Sequence, residues 1–253
     1  MPSPAALDRP TTWQADAFMA PPEPAAIALP PGPWVCLASR FELAAYHDDG
    51  FADFGVAFPD SLGRAVPKRR AEFLAGRRLG REAVVRLTGH AADIAIGPQR
   101  EPLWPGGVRG SISHSGDLAV CLATTAADAL VGIDVENLLA ASGREAVLRM
   151  CTRDEELPLL NASPVGENTA LTLLFSAKEA LFKALFPRVG AYFDFQAASL
   201  GELDAAAGRL TLTLTEDLGR AYRAGQRFPV RFAVEAARVM TWIAMNGDEA
   251  ASL

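Results

Sequence analysis

Two acidic side chains stand one residue apart in Val131-Gly132-Ile133-Asp134-Val135-Glu136. Alternate residues of an extended strand share a face, so Asp134 and Glu136 project together while Ile133 and Val135 point into a core. Carboxylates this close repel unless a cation lies between them, and oxygen-only ligands suit Mg2+. A solvent-facing strand edge would carry the same pattern. A second segment reads Phe175-Ser176-Ala177-Lys178-Glu179-Ala180-Leu181-Phe182-Lys183. Helical spacing puts Glu179 and Lys183 on one face. They form either an ordinary surface ion pair, worth a few tenths of a kcal/mol, or a third carboxylate for a metal with a lysine reaching a phosphate beside it.

Two further segments suit an anionic ligand. In Gly110-Ser111-Ile112-Ser113-His114-Ser115-Gly116, Ser113 and His114 end a strand at a turn, where a hydroxyl, an imidazole and free backbone N–H groups can meet a phosphate. A polar hairpin end is the plainer reading. The segment is no hydrolase site: it lacks a G-x-S-x-G elbow, and adjacent strand side chains diverge. Lys68-Arg69-Arg70 and Arg77 begin a basic helix in an otherwise acidic chain. They make a solvated face or a phosphate site built from charge-assisted bonds. Neither a Walker loop nor a G-x-G-x-x-G fingerprint is present.

The elements that must position these groups follow from periodicity. Residues 1–33 are rich in Pro and Ala and read as an extended lead-in. A first strand is expected within Trp34–Leu43. Pro67 opens a helix that ends at Gly89. A short strand is expected over Ala92–Gly97, then a loop, then a hairpin over Val108–Ala123 turning at Ser115-Gly116-Asp117. Ala129–Val135 reads as a strand. Residues 143–160 and 167–186 read as helices, the second stopped by Pro187. Strands follow at Arg209–Thr215, Val230–Ala236 and Val239–Met245. Strands and helices segregate rather than alternate, so the expected class is α+β.

The 253 residues carry a net charge of −6, which argues against a nucleic-acid partner. Cys36, Cys121 and Cys151 are odd in number and far apart, giving no disulfide framework and no zinc pattern. No apolar run is long enough to span a membrane, and no secretory leader is visible, so a cytoplasmic protein is expected.

Taken in order, Lys68-Arg69-Arg70-Ala71-Glu72-Phe73-Leu74-Ala75-Gly76-Arg77, Pro102-Leu103-Trp104-Pro105, Gly110 to His114, Val131 to Glu136 and Phe175 to Glu179, with Lys183 beyond, resemble the phosphopantetheinyl transferase family. The resemblance spans residues 67–187. It implies a fold of two similar α+β halves related by a pseudo-two-fold axis, here 1–126 and 127–253, with coenzyme A in the cleft between them. It also implies an activity: transfer of the phosphopantetheine arm of coenzyme A to a serine of an apo carrier protein, with release of 3′,5′-ADP. Asp134, Glu136 and Glu179 resemble the Mg2+ ligands, and Glu179 the base. Lys183 resembles the lysine on the diphosphate. Ser113 and His114 resemble the contacts to the 3′-phosphate and pyrophosphate, and Arg69, Arg70 and Arg77 those to the 3′-phosphoadenosine end. Arg100-Glu101 departs from the Gly-Lys that many relatives have there. Carriers of siderophore or peptide synthetases are the favoured partners, and a monomer is expected. The cluster Phe186, Val189, Tyr192 and Phe193 is either core or part of a carrier-docking surface. A metal-dependent phosphohydrolase acting on coenzyme A or a nucleotide is the alternative.

Overall fold

A proline at the first helical position gives up an N–H that has no partner there, and Pro67 opens a helix in this way. The computed structural model describes residue 13 and residues 16–252; the rest of the expected lead-in lies outside the described residues. By its internal contacts the chain divides into two units, Met1–Val131 and Gly132–Leu253.

The first unit contains β1 (Glu23–Pro24), β2 (Trp34–Arg40), α1 (Gly50–Asp53), α2 (Pro67–Thr88), β3 (Ala95–Ile96), β4 (Pro102–Leu103), β5 (Arg109–Ser115) and β6 (Leu118–Thr124). Its main sheet has the order β1-β2-β6-β5, with every pairing antiparallel. The helix α2 lies on this sheet. Leu74, Leu79 and Ala83 pack with Val35, Leu37, Ala119 and Cys121 in one core cluster. Full burial of each such leucine contributes about 1.5–3 kcal/mol. Close approach of helix to sheet needs a glycine: a Cβ on Gly80 would stand 2.5 Å from Ile94 Cδ1 and 3.1 Å from Ile112 Cδ1. Ile112 therefore faces α2, and by strand alternation so does His114. The expected strand at Ala92–Gly97 shrinks to the two residues of β3.

The second unit contains β7 (Leu130–Asn137), whose first two residues precede the division, then α3 (Ala141–Cys151), α4 (Leu157–Asn161), α5 (Glu167–Val189), β8 (Ala198–Asp204), β9 (Arg209–Leu214), β10 (Arg227–Glu235), β11 (Arg238–Met245) and α6 (Gly247–Ala251). Its sheet runs β7-β11-β10-β9-β8.

Two further expectations need correction, and one strand has no counterpart among them. The helix expected over 143–160 is broken after Cys151, because Glu156 turns inward, accepts from Arg153 N at 2.7 Å and closes a capping box. Pro187 does not stop α5; it sits in the last turn, where it removes a single bond, and Gly190 in the left-handed region ends the helix by donating to Phe186 O. The strand β8 carries no clear alternation and was not expected.

Candidate active site

The even-numbered face of β7 meets α5. Gly132 leaves room for the helix backbone, since a Cβ there would lie 2.0 Å from Ala180 O. One pleat further, Asp134 reaches two side chains of α5. Its Oδ1 accepts from Lys183 Nζ at 2.6 Å, and its Oδ2 accepts from Ser176 Oγ at 2.7 Å. Ser176, Ala180 and Lys183 form a single stripe on α5 by their spacing. Asp134 is 2% exposed, so the carboxylate is held away from bulk water and its charge is compensated where it lies. Ile133 and Val135 fill the opposite face at full burial, as the alternation requires.

Glu179 is half-buried on the same helix. Burial pushes its carboxyl above the ordinary value; the Lys183 ammonium opposes the shift, and the negative charge of Asp134 adds to it. Asp134, Glu179 and Lys183 thus form one electrostatic group. Glu136 follows Asp134 on the same face of β7 and is half-buried. Among the described residues no three His, Cys, Asp or Glu side chains converge closely enough to hold a metal ion as they stand. The donor set nevertheless fits a hard divalent cation: Asp134 and Glu179 are oxygen ligands, and the charge of one disfavours the other's ionisation, a cost that a cation removes.

The lysine preceding Glu179 turns the other way. Lys178 Nζ donates to Cys151 O at 2.7 Å and pairs with Glu156 Oε1 at 2.9 Å. Glu156 Oε1 also accepts from Leu200 N at 2.6 Å. This buried pair, which sequence reading missed, ties α5 to the turn after α3 and to β8. Its only signal is the charged run Arg153 to Glu156, which lies inside the stretch 143–160 expected to be one helix. Ser176 and Thr241 carry a weaker signal, a polar residue among apolar neighbours on a helix and on a strand respectively.

Beside Glu179 is a cavity of about 210 Å3, lined by Lys178, Leu181, Phe182, Tyr192, Phe193 and Phe195 among others. The ring of Phe182 lies 5.6 Å from that of Tyr192 and 5.0 Å from that of Phe193. In the expected apolar cluster Phe186 is core at 8% exposed, whereas Tyr192 is 71% exposed.

In the first unit, Arg69 Nη1 lies 3.2 Å from His114 Nε2, and Glu72 Oε2 lies 3.9 Å from both Arg69 Nη1 and His114 Nδ1. Because His114 faces α2, Ser113 faces the other side of the sheet, so the structure groups the histidine with the arginine rather than with its neighbour. Arg70 is engaged elsewhere: it pairs with Asp48 at 2.6 Å and donates to Leu62 O and Gly63 O. Arg77 is 8% exposed, with its guanidinium over the Phe73 ring at 4.8 Å. Its Nε is buried without a hydrogen-bond partner, and burial lowers the group to about 10, so it stays charged at neutral pH.

Comparison with known proteins agrees with this arrangement of motifs. A model of the 4′-phosphopantetheinyl transferase N-terminal domain matches residues 58–124, and one of the 4′-phosphopantetheinyl transferase superfamily matches residues 130–236. Enterobactin synthase component D of Salmonella typhi is 34% identical over 165 residues, covering 65% of this chain and 68% of that protein. The 4′-phosphopantetheinyl transferase Svp of Streptomyces mobaraensis is 37% identical over 164 residues, 63% of this chain and 66% of that protein. Enterobactin synthase component D of Escherichia coli K12 is 37% identical over 140 residues, 54% of this chain and 66% of that protein. The chain belongs to the 4′-phosphopantetheinyl transferase superfamily. It is an enzyme that moves the phosphopantetheine group of coenzyme A to a serine of a carrier protein. Among the described residues no helix is long and apolar enough to cross a membrane.

Proposed function

We propose that the reaction takes place at Asp134, Glu179 and Lys183. The observation that supports this most is the buried Asp134 carboxylate shared between Lys183 and Ser176, with Glu179 raised beside it. Asp134 and Glu179, joined by Glu136, would hold Mg2+, which when bound neutralises charge on the diphosphate as the phosphoanhydride breaks.

The other work falls to side chains. The serine hydroxyl of the carrier attacks the phosphorus next to the pantetheine, and 3′,5′-ADP departs. Glu179, held up by burial, suits acceptance of the serine proton at a carboxylate oxygen. Lys183, a quarter exposed, offers an ammonium to the leaving phosphate. The aromatic cavity beside Glu179 suits the uncharged amide-and-alkyl arm, whose length needs apolar walls and exclusion of water. Within the N-terminal half, Arg69, His114 and the buried cation of Arg77 suit the 3′-phosphate, while Arg70 supports the loop that it caps.

The relatives named enterobactin synthase component D favour a carrier domain of a siderophore or peptide synthetase as the partner. Coenzyme A as donor and a reduced set of buried thiols favour the cytoplasm. Mass spectrometry of a panel of apo carriers with coenzyme A and Mg2+ tests the reading. A carrier gaining the phosphopantetheine mass, with 3′,5′-ADP released and the gain abolished by EDTA, is the expected result. Transfer that survives exhaustive chelation would remove the metal from it.

A further inference from the structure

Asp134 is gripped from behind. Its Oδ2 takes a hydrogen bond from Ser176 Oγ at 2.7 Å, and Ser176 Oγ lies 2.9 Å from Thr241 Oγ1 on β11. Ser176 and Thr241 are both fully buried. A serine has a single hydroxyl proton, and an ionised carboxylate can only accept. With that proton committed to Asp134, the proton between the two hydroxyls must come from Thr241. The chain therefore runs in one direction, from Thr241 O–H to Ser176 Oγ and from Ser176 O–H to Asp134 Oδ2. It leaves Asp134 Oδ1 turned toward Lys183, whose side chain is 25% exposed.

We propose that Ser176 and Thr241 are positioning residues: they fix the rotation of the Asp134 carboxylate so that Oδ1 is presented to the reacting side. The inference rests on the reading of Asp134 as a metal ligand and adds two residues that touch neither substrate nor cation. Outer hydrogen-bond partners of ligating carboxylates work by holding the ligand in one orientation, and losing one typically costs 10–100-fold in metal affinity or activity. Because Thr241 acts only through Ser176, the two contributions cannot add.

The test is calorimetric titration of coenzyme A into the full-length enzyme at stepped Mg2+ concentrations, beside turnover and thermal melting. Thr241→Val removes the hydroxyl at nearly constant shape, and Thr241→Ser restores it. Ser176→Ala and Thr241→Val are each expected to raise the Mg2+ needed for half-maximal coenzyme A binding and turnover by about tenfold, with KM for the carrier unchanged. Thr241→Ser should rescue the Mg2+ response, and the double variant should be no worse than Ser176→Ala alone. An unchanged Mg2+ response in Thr241→Val, or losses that multiply in the double variant, would overturn the relay. Asp134→Asn separates the two levels. If it keeps the wild-type response, the metal reading falls and the proposal with it. If it loses the response while Ser176→Ala and Thr241→Val keep it, the positioning role alone falls.

Discussion

Lys178 Nζ stands 2.9 Å from Glu156 Oε1 where water reaches neither side chain, their exposures being 2% and 0%. The pair is completed by Cys151 O on the lysine and by Arg153 N and Leu200 N on the carboxylate. Removing one partner of such a pair leaves a buried charge without compensation. Lys178→Met is expected to lower the free energy of unfolding by about 3–5 kcal/mol. Lys178→Met combined with Glu156→Gln should recover much of that loss. Urea melts of the single and double variants measure both, and a single variant as stable as wild type would show that the pair carries no such weight.

Arg77 presents the opposite case, a buried cation over Phe73 with Nε unbonded. It has a desolvation cost, and among the described residues no carboxylate offsets it. Arg77→Met should therefore hold or raise the melting temperature. If the guanidinium takes the 3′-phosphate, KM for coenzyme A rises at least about tenfold, the worth of a charged hydrogen bond, while KM for dephospho-coenzyme A moves far less. Steady-state kinetics with the two donors decides it. Equal shifts for both would place Arg77 outside the phosphate site.

Glu179→Gln should separate function from stability. Transfer of the serine proton by a positioned carboxylate contributes about 10²–10⁴-fold, so turnover should fall by that order while coenzyme A binding changes little. Equal losses in both would refute a base role. The stability effect has the reverse sign. A carboxyl raised in the folded state gains stability from protonation below its unfolded value of 4.5, and loses it as pH rises through the folded value. Without Mg2+, Glu179→Gln should melt at or above wild type at neutral pH, and the gap should close as pH falls through the carboxylate range. Melts across pH read this directly.

The sequence told most where one period and one end signal coincided. Pro67 and Gly89 bracketed α2, and the turn at Gly116 set the hairpin of β5 and β6. Asp134 and Glu179 were legible as residues, but the stripe Ser176, Ala180 and Lys183 that meets β7 was not. That stripe depends on which helix covers the acidic face, and strand alternation says only that the face is shared. Glu156 was misplaced for a related reason. A charged run reads as solvated until a buried lysine elsewhere is known to need a partner, and Lys178 lay far along the chain. The parting of Ser113 from His114 follows from alternation, which sends adjacent strand residues to opposite faces.

Gly132 sets the distance at which all of this operates. Asp134 meets Ser176 and Lys183 because β7 lies against α5 with no side chain between Gly132 and Ala180 O. A methyl group 2.0 Å from that backbone oxygen cannot be relieved by a rotamer, so helix and strand must separate. Overpacking of this kind costs about 1–3 kcal/mol and displaces the elements involved. The displacement falls on the hydrogen bonds to Asp134, which tolerate little lengthening before they weaken. Gly132→Ala is therefore expected to reduce turnover by more than its loss of stability would remove through unfolding. The comparison is made at a temperature where both proteins are fully folded by circular dichroism. Wild-type turnover in a folded Gly132→Ala enzyme would mean that the spacing of β7 and α5 does not govern the geometry of Asp134.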